Sequence, residues 1–261
     1  MTMKLMILLL AAMMCSCTSK AGKEDNNVQL KPRVAVEPKL KTTTSSKAVA
    51  RTEENKKTVP GKTARSLAQQ GYINVKDEDE SIFVSLMYSR KDNFCGVVLY
   101  DDLREAYLYP SAAKALKKAQ KYLKTLRPDL SIIVFDAARP MSIQQKMWNK
   151  VKNTSKNIYV SNPAHGGGMH NYGMAVDISL CRLDGDTIDM GTKVDYMGRA
   201  AHIDNESTLL SQHRISKEAY DNRRLLRKVM RHAGWMPLRT EWWHFNLCSR
   251  KTARRYYKVI K

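Results

Sequence analysis

The sequence predicts an α+β fold, an antiparallel sheet with helices packed against it, and three stretches carry that expectation. In the run 174–180, Met174, Val176, Ile178 and Leu180 share one face while Ala175, Asp177 and Ser179 share the other. Period two over such a length is a half-buried strand. From Ser111, the residues Ala112, Ala113, Leu116, Ala119, Tyr122 and Leu123 recur at helical spacing with lysines opposite, and the pattern stops before Pro128. A further helix over about 217–233 turns Leu225, Leu226, Val229 and Met230 inward and arginines outward, and Gly234 ends it.

In chain order, residues 1–17 carry Lys4, an apolar run from Leu5 to Met14, and then Cys15-Ser16-Cys17. That run is too short to span a bilayer but suits the core of a secretory signal. A cysteine behind a small residue at its end indicates a lipoprotein leader, cleaved after Ser16 and acylated on Cys17. An ordinary cleaved signal peptide is the alternative. The first gives an exported, periplasmic protein with a membrane anchor, and the second a soluble secreted protein. Residues 18–66 are rich in Lys, Thr, Ser, Val, Glu and Pro and contain no aromatic residue. Such a stretch cannot bury enough surface to offset its ordering entropy, so it reads as a flexible basic linker reaching about 40 Å.

The folded domain is expected over 67–261. Residues 72–75 and 82–86 read as strands separated by an acidic turn at Asp77–Glu80, and 97–100 continues the series. Leu130–Phe135 is a buried strand that delivers Asp136-Ala137-Ala138-Arg139-Pro140, and a helix over about 142–151 follows. Asp184-Gly185-Asp186 is a turn, a polar loop runs to about Ser216, and 240–247 forms a strand-like end before a basic tail.

The formal charge is +20. The basic residues are scattered and not interleaved with aromatics, which argues against a nucleic-acid groove. The excess suits anionic surfaces such as lipid headgroups and wall polymers. Cys95, Cys181 and Cys248 lack metal-type spacing and read as small buried hydrophobes with at most one disulfide among them.

Chemistry concentrates in two clusters. In the first, Gly166-Gly167-Gly168 leads into His170, and a Tyr172-Gly173 step separates that imidazole from Asp177 on the alternating strand. A carboxylate on a buried strand face costs free energy unless it is paired or binds a cation. The second is Glu241-Trp242-Trp243-His244. Residues three apart lie on opposite faces of a strict strand, so Glu241 is expected in the loop just before it. His170, Asp177 and His244 then form a three-ligand zinc site with an open position. Glu241 is placed as general base, and Arg139 as hydrogen-bond donor to the oxyanion. His165, His202, His213 and His232 read as structural.

These motifs resemble the zinc D-alanyl-D-alanine dipeptidases of the VanX type, and more distantly the D,D-carboxypeptidases and the hedgehog signalling domain. The family pattern is Ser-x-His-x-x-Gly-x-Ala-x-Asp, then Asp-Met-Gly-Thr-x-Phe-Asp, then Glu-x-x-His within Glu-Trp-Trp-His. Here it stands as Gly168 through Asp177, Asp189 through Asp195 and Glu241 through His244, with an upstream Asp-x-x-Arg-Pro at Asp136–Pro140. The likeness extends over about Tyr72 to Asn246. It implies the hedgehog/D,D-peptidase-like fold and one zinc ion held by His170, Asp177 and His244. It also implies Glu241 as base, Arg139 as transition-state stabiliser, and Asp195 with Asp136 as substrate-binding residues, Asp195 taking the free amino terminus. The implied substrate is D-Ala-D-Ala or a related peptidoglycan peptide. Gly168 stands where the family has Ser, and Val194 where it has Phe, both touching substrate selection. Alternatives are a D,D-carboxypeptidase and, in a different class, a wall-binding zinc module without turnover.

Overall fold

The computed structural model describes residues 59–261; the leader, Cys17 and the linker up to residue 58 lie outside the described residues. Helix α1 (Lys62–Gln69) begins inside the stretch assigned to the linker, because Ala64 and Leu67 bury one face of it. Two apolar positions are too few to show in a periodicity count. Strand β1 (Ile73–Asn74) is followed at once by a single helical turn, α2 (Val75–Glu78), which Asn74 caps by accepting from the Lys76 amide. The acidic turn is thus partly helical. Strand β2 (Phe83–Val84) is shorter than expected, and residues 97–100 form no strand. Their Leu99 and Tyr100 amides both donate to the Tyr88 carbonyl, which folds the segment into a loop.

Strand β3 (Tyr107–Leu108) pairs antiparallel with β1 in a small separate ladder. Helix α3 (Pro110–Leu126) starts with proline in its first turn, where the missing N–H has no intrahelical partner to lose. Strand β4 (Leu130–Asp136), helix α4 (Met141–Val151) and strand β5 (Ala175–Arg182) follow. The polar loop contains a short helix, α5 (Glu206–Ser211), before α6 (Lys217–His232), whose Ser216 side chain accepts from the Ala219 amide. Strands β6 (Met236–Leu238) and β7 (Glu241–Asn246) lead to α7 (Arg250–Tyr256) in the basic tail.

The main sheet has the order β2-β4-β5-β7-β6, antiparallel except for the parallel β2–β4 pair. Helices α3 and α6 pack on each other and on its strands. Val176, Ile178 and Leu180 of β5 are fully buried on one face, beside Val134 and Ile132 of β4 and Phe245 of β7. The other face of β5 is buried too, and it carries Asp177 and Ser179. Cys95, Cys181 and Cys248 are free thiols.

One irregularity in this sheet positions the chemistry. Val134 pairs with Ile178, yet the next register partner on β4 is Asp136, opposite Asp177. Phe135 is the extra residue of a β-bulge. Without it Asp136 would point to the opposite face, because side chains alternate along a strand.

Candidate active site

Asp177 is flanked in the sheet by Asp136 on β4 and His244 on β7, so three polar side chains stand in one cross-strand row. Pairing across β5 and β7 brings His244 Nδ1 to 3.0 Å from Asp177 Oδ1. His170 enters from outside the sheet, on the 3₁₀ turn Met169–Tyr172. Gly173 ends that turn at φ +64, and a Cβ there would meet the Tyr72 ring at 2.5 Å, so only glycine turns the chain tightly enough into β5. Asn171, fully buried, ties the turn to the end of β4: it accepts from the Gly168 amide at 2.8 Å and donates to the Arg139 carbonyl at 2.8 Å. His170 Nε2 thereby comes 3.3 Å from Asp177 Oδ2.

His170, Asp177 and His244 each offer one ligand atom within 4.8 Å of the other two, and all three residues are buried. Their remaining hydrogen bonds set the tautomers. His170 Nδ1 lies 2.8 Å from the Ala137 carbonyl, which can only accept, so Nδ1 carries the proton and the lone pair sits on Nε2. His244 Nε2 donates to Asn246 Oδ1 at 2.9 Å, which leaves the lone pair on Nδ1. Two imidazole lone pairs and a carboxylate therefore face one another with no proton between them. Such a set is relieved by a cation, and outer hydrogen bonds of this kind orient metal-binding histidines. The residues present fit a metal ion.

Glu241 is the first residue of β7, not a loop residue before it as expected. The β6–β7 register jumps from Pro237 opposite Phe245 to Leu238 opposite Glu241. This irregularity breaks strict alternation, and Glu241 Oε2 reaches 3.9 Å from His244 Nδ1 on the same side. Both residues line one cavity of about 130 Å³ with His170, Asp177, Arg139 and Asp195. Burial pushes the Glu241 carboxyl up to about 8, against His244 and Arg139 and with the help of Asp177 and Asp195. Asp177 is driven up by burial as well, but His170 and His244 hold it well below the usual carboxylate range.

Arg139 is buried, with Nε 2.9 Å and Nη2 2.5 Å from Asp136 Oδ2, and Nη1 donating to Gln144 Oε1 at 2.8 Å. Burial opposes its charge, but Asp136 and the neighbouring phenols keep it firmly protonated. Asp136 itself is fully buried behind Arg139 and does not line the cavity. Tyr100 occupies its other oxygen at 2.6 Å. The expected substrate-binding role for Asp136 is therefore corrected: both its oxygens are taken, and it positions Arg139. Asp195 does line the cavity, in a left-handed conformation at φ 64 that L residues seldom adopt. The Tyr88 hydroxyl donates to it at 2.6 Å. Burial, aided by Asp177, pushes its carboxyl up to about 7 despite that bond.

Gly168 lines the cavity, whereas Val194 lies on a neighbouring groove beside Met87 and Trp242. Val194 therefore does not line this cavity, against the expectation that it touches substrate selection there. His165 is exposed and outside the ligand group. Sequence reasoning passed over Tyr88, Tyr100, Asn171, Gln144 and Asn246. Asn246 alone carried a signal, lying two residues after His244 and hence on the same strand face.

The peptidase M15 family model, described as D-Ala-D-Ala dipeptidase, matches residues 70–261. The chain belongs to this family. Its match spans the elements from β1 to α7 that bear the site. Among curated relatives, a D-alanyl-D-alanine dipeptidase of Escherichia coli (strain K12) is 29% identical over 164 residues, covering 63% of this chain and 78% of its own. One from Enterococcus faecalis (strain ATCC 700802 / V583) is 24% identical over 205 residues, 72% of this chain and 97% of its own. A third, from Synechocystis sp. (strain ATCC 27184 / PCC 6803 / Kazusa), is 28% identical over 172 residues, 55% and 70%.

Proposed function

We propose that this chain is a zinc-dependent D-alanyl-D-alanine dipeptidase. The observation that carries the reading is the convergence of His170, Asp177 and His244, with Glu241 beside them, in a member of this family. Two buried imidazoles and one buried carboxylate suit zinc. When bound, the ion supplies Lewis acidity to the scissile carbonyl and to the attacking water.

The protein's own groups do the rest. Glu241, beside His244 at the site, takes a proton from the attacking water and delivers it to the leaving amine nitrogen as the C–N bond breaks. Of the five N–H groups of Arg139, those on Nε, Nη2 and Nη1 engaged by Asp136 and Gln144 hold the plane in place. Arg139 lines the cavity, and its remaining N–H groups are left to stabilise the carbonyl oxygen as it gains charge. Asp195, held by Tyr88, pairs with the substrate's free ammonium, which favours a dipeptide over a longer chain. The leader at 1–17 supports export to the periplasm, with Cys17 as the site of lipid attachment; mass analysis of the membrane-bound N-terminal peptide checks this.

Hydrolysis of free D-Ala-D-Ala against a muramyl pentapeptide by the zinc-loaded protein tests the function. Cleavage of the dipeptide with little cleavage of the pentapeptide is the expected result. Cleavage of the pentapeptide alone would make the chain a carboxypeptidase and remove the role given to Asp195. Zinc binding with no cleavage of either would leave a wall-binding module.

A further inference from the structure

A dipeptide with free ends is a zwitterion, and the cavity meets its two charges with different groups. Asp195 is available to the ammonium. Arg139 is not available to the carboxylate in the same way, because Asp136 already neutralises it and Asp177 Oδ2 lies 3.8 Å from its Nη2. The other guanidinium lining the cavity belongs to Arg250. Among the described residues Arg250 has no carboxylate partner, and its side chain makes one hydrogen bond, from Nη2 to Ser161 Oγ at 3.0 Å.

Ser161 is held where it can share that task. Its carbonyl accepts from Gln144 Nε2 at 2.8 Å, and the same Gln144 accepts from Arg139 Nη1 at 2.8 Å. One glutamine therefore spaces Arg139 from the Ser161–Arg250 pair. Ser161 Oγ lies only 2.9 Å from where a Cβ on Gly168 would be, so the bare glycine makes room for this hydroxyl in the cavity wall. The hydroxyl accepts from Arg250 and keeps its own proton to donate.

We infer that Arg250 and Ser161 bind the carboxylate at the substrate's C-terminus, so that the enzyme requires that carboxylate free, next to the scissile bond. The inference rests on the dipeptidase reading and adds residues to it. Arg250 Nη2 spends one N–H on Ser161 Oγ, and its second N–H pairs with the uncommitted Nε or Nη1 to offer a fork to a carboxylate, to which the Ser161 hydroxyl adds a third donor. Because a charged partner is lost when the carboxylate becomes an amide, the preference should be large.

The test compares D-Ala-D-Ala with its C-terminal amide in two ways. Turnover is measured for the zinc-loaded protein and its Arg250→Met and Arg250→Lys variants. Binding without turnover is measured by calorimetry in a Glu241→Gln background, with and without Arg250→Met. The expected result is that the acid is favoured over the amide by roughly 100-fold in kcat/KM and in affinity. Arg250→Met should shrink that ratio to about threefold or less, through KM and not kcat, with an unchanged Tm because Arg250 is exposed. Arg250→Lys should restore part of it. An acid-to-amide ratio that Arg250→Met leaves intact overturns the inference. A preference seen in binding while the zinc-loaded protein cleaves no dipeptide would sink the dipeptidase reading and leave the carboxylate subsite standing.

Discussion

His244 and Asp177 are direct cross-strand partners, and their 3.0 Å contact is a property of the β5–β7 register. A one-residue slip in that register would carry Asp177 and His244 to opposite faces and dissolve the ligand set. His170 is the third ligand atom and arrives independently, on a turn held by Asn171.

Removal of the metal should therefore loosen the sheet at its centre. Dialysis against a chelator is expected to abolish hydrolysis and lower Tm, and zinc should restore both. With zinc at about 1,000 times its Kd, the gain is about 4 kcal/mol. Calorimetric scans with and without zinc check it, and a Tm indifferent to zinc would show that the three side chains do not hold an ion.

Glu241→Gln keeps the shape of the side chain and removes its basicity. Zinc content is expected to stay at one per chain while kcat falls by at least about 100-fold. Elemental analysis beside a turnover assay separates the two effects. Retained activity would remove Glu241 from its role.

Asp136→Ala leaves the Arg139 guanidinium buried without its counter-ion. Breaking one side of a buried pair costs about 3–5 kcal/mol, so urea denaturation should show a loss of that order together with a fall in kcat. A loss below about 1 kcal/mol would mean that Asp136 does not anchor Arg139.

Asp195 gives a pH dependence of defined sign in the metal-free protein. Its folded pKa, about 7, lies above the ordinary carboxylate value of 3.8. The folded state thus binds a proton that the unfolded chain has released. The associated stability is fully present below about pH 4 and is lost as pH rises through about 7. Asp195→Asn, which also tolerates the left-handed conformation, should be more stable than the parent at pH 8, with the gain vanishing near pH 4. Denaturation curves at the two pH values check it, and a gain that is larger at pH 4 would reverse the assignment.

Much of the fold was legible where the local pattern was strong. The helices at 110–126 and 217–232 and the strand at 175–182 match their periodicities within a residue or two. The misreadings fall where only a few residues decide. Helix α1 rests on two buried positions, and the expected strand at 97–100 yields to a loop whose amides converge on one carbonyl. Glu241 was misplaced into a loop because strict alternation forbids what the β6–β7 register jump allows.

The sequence by itself determined which side chains have the chemistry to hold a cation and carry its proton: His170, Asp177, His244 and Glu241 are the right donors in a recognisable order. Only the tertiary structure decided how they act together. The bulge at Phe135 turns Asp136 behind Arg139, the Ala137 carbonyl and Asn246 choose the imidazole tautomers, and the bare Gly168 admits Ser161. Each of these depends on register and on contacts between segments distant in the chain, and neither is written in the order of residues along one strand.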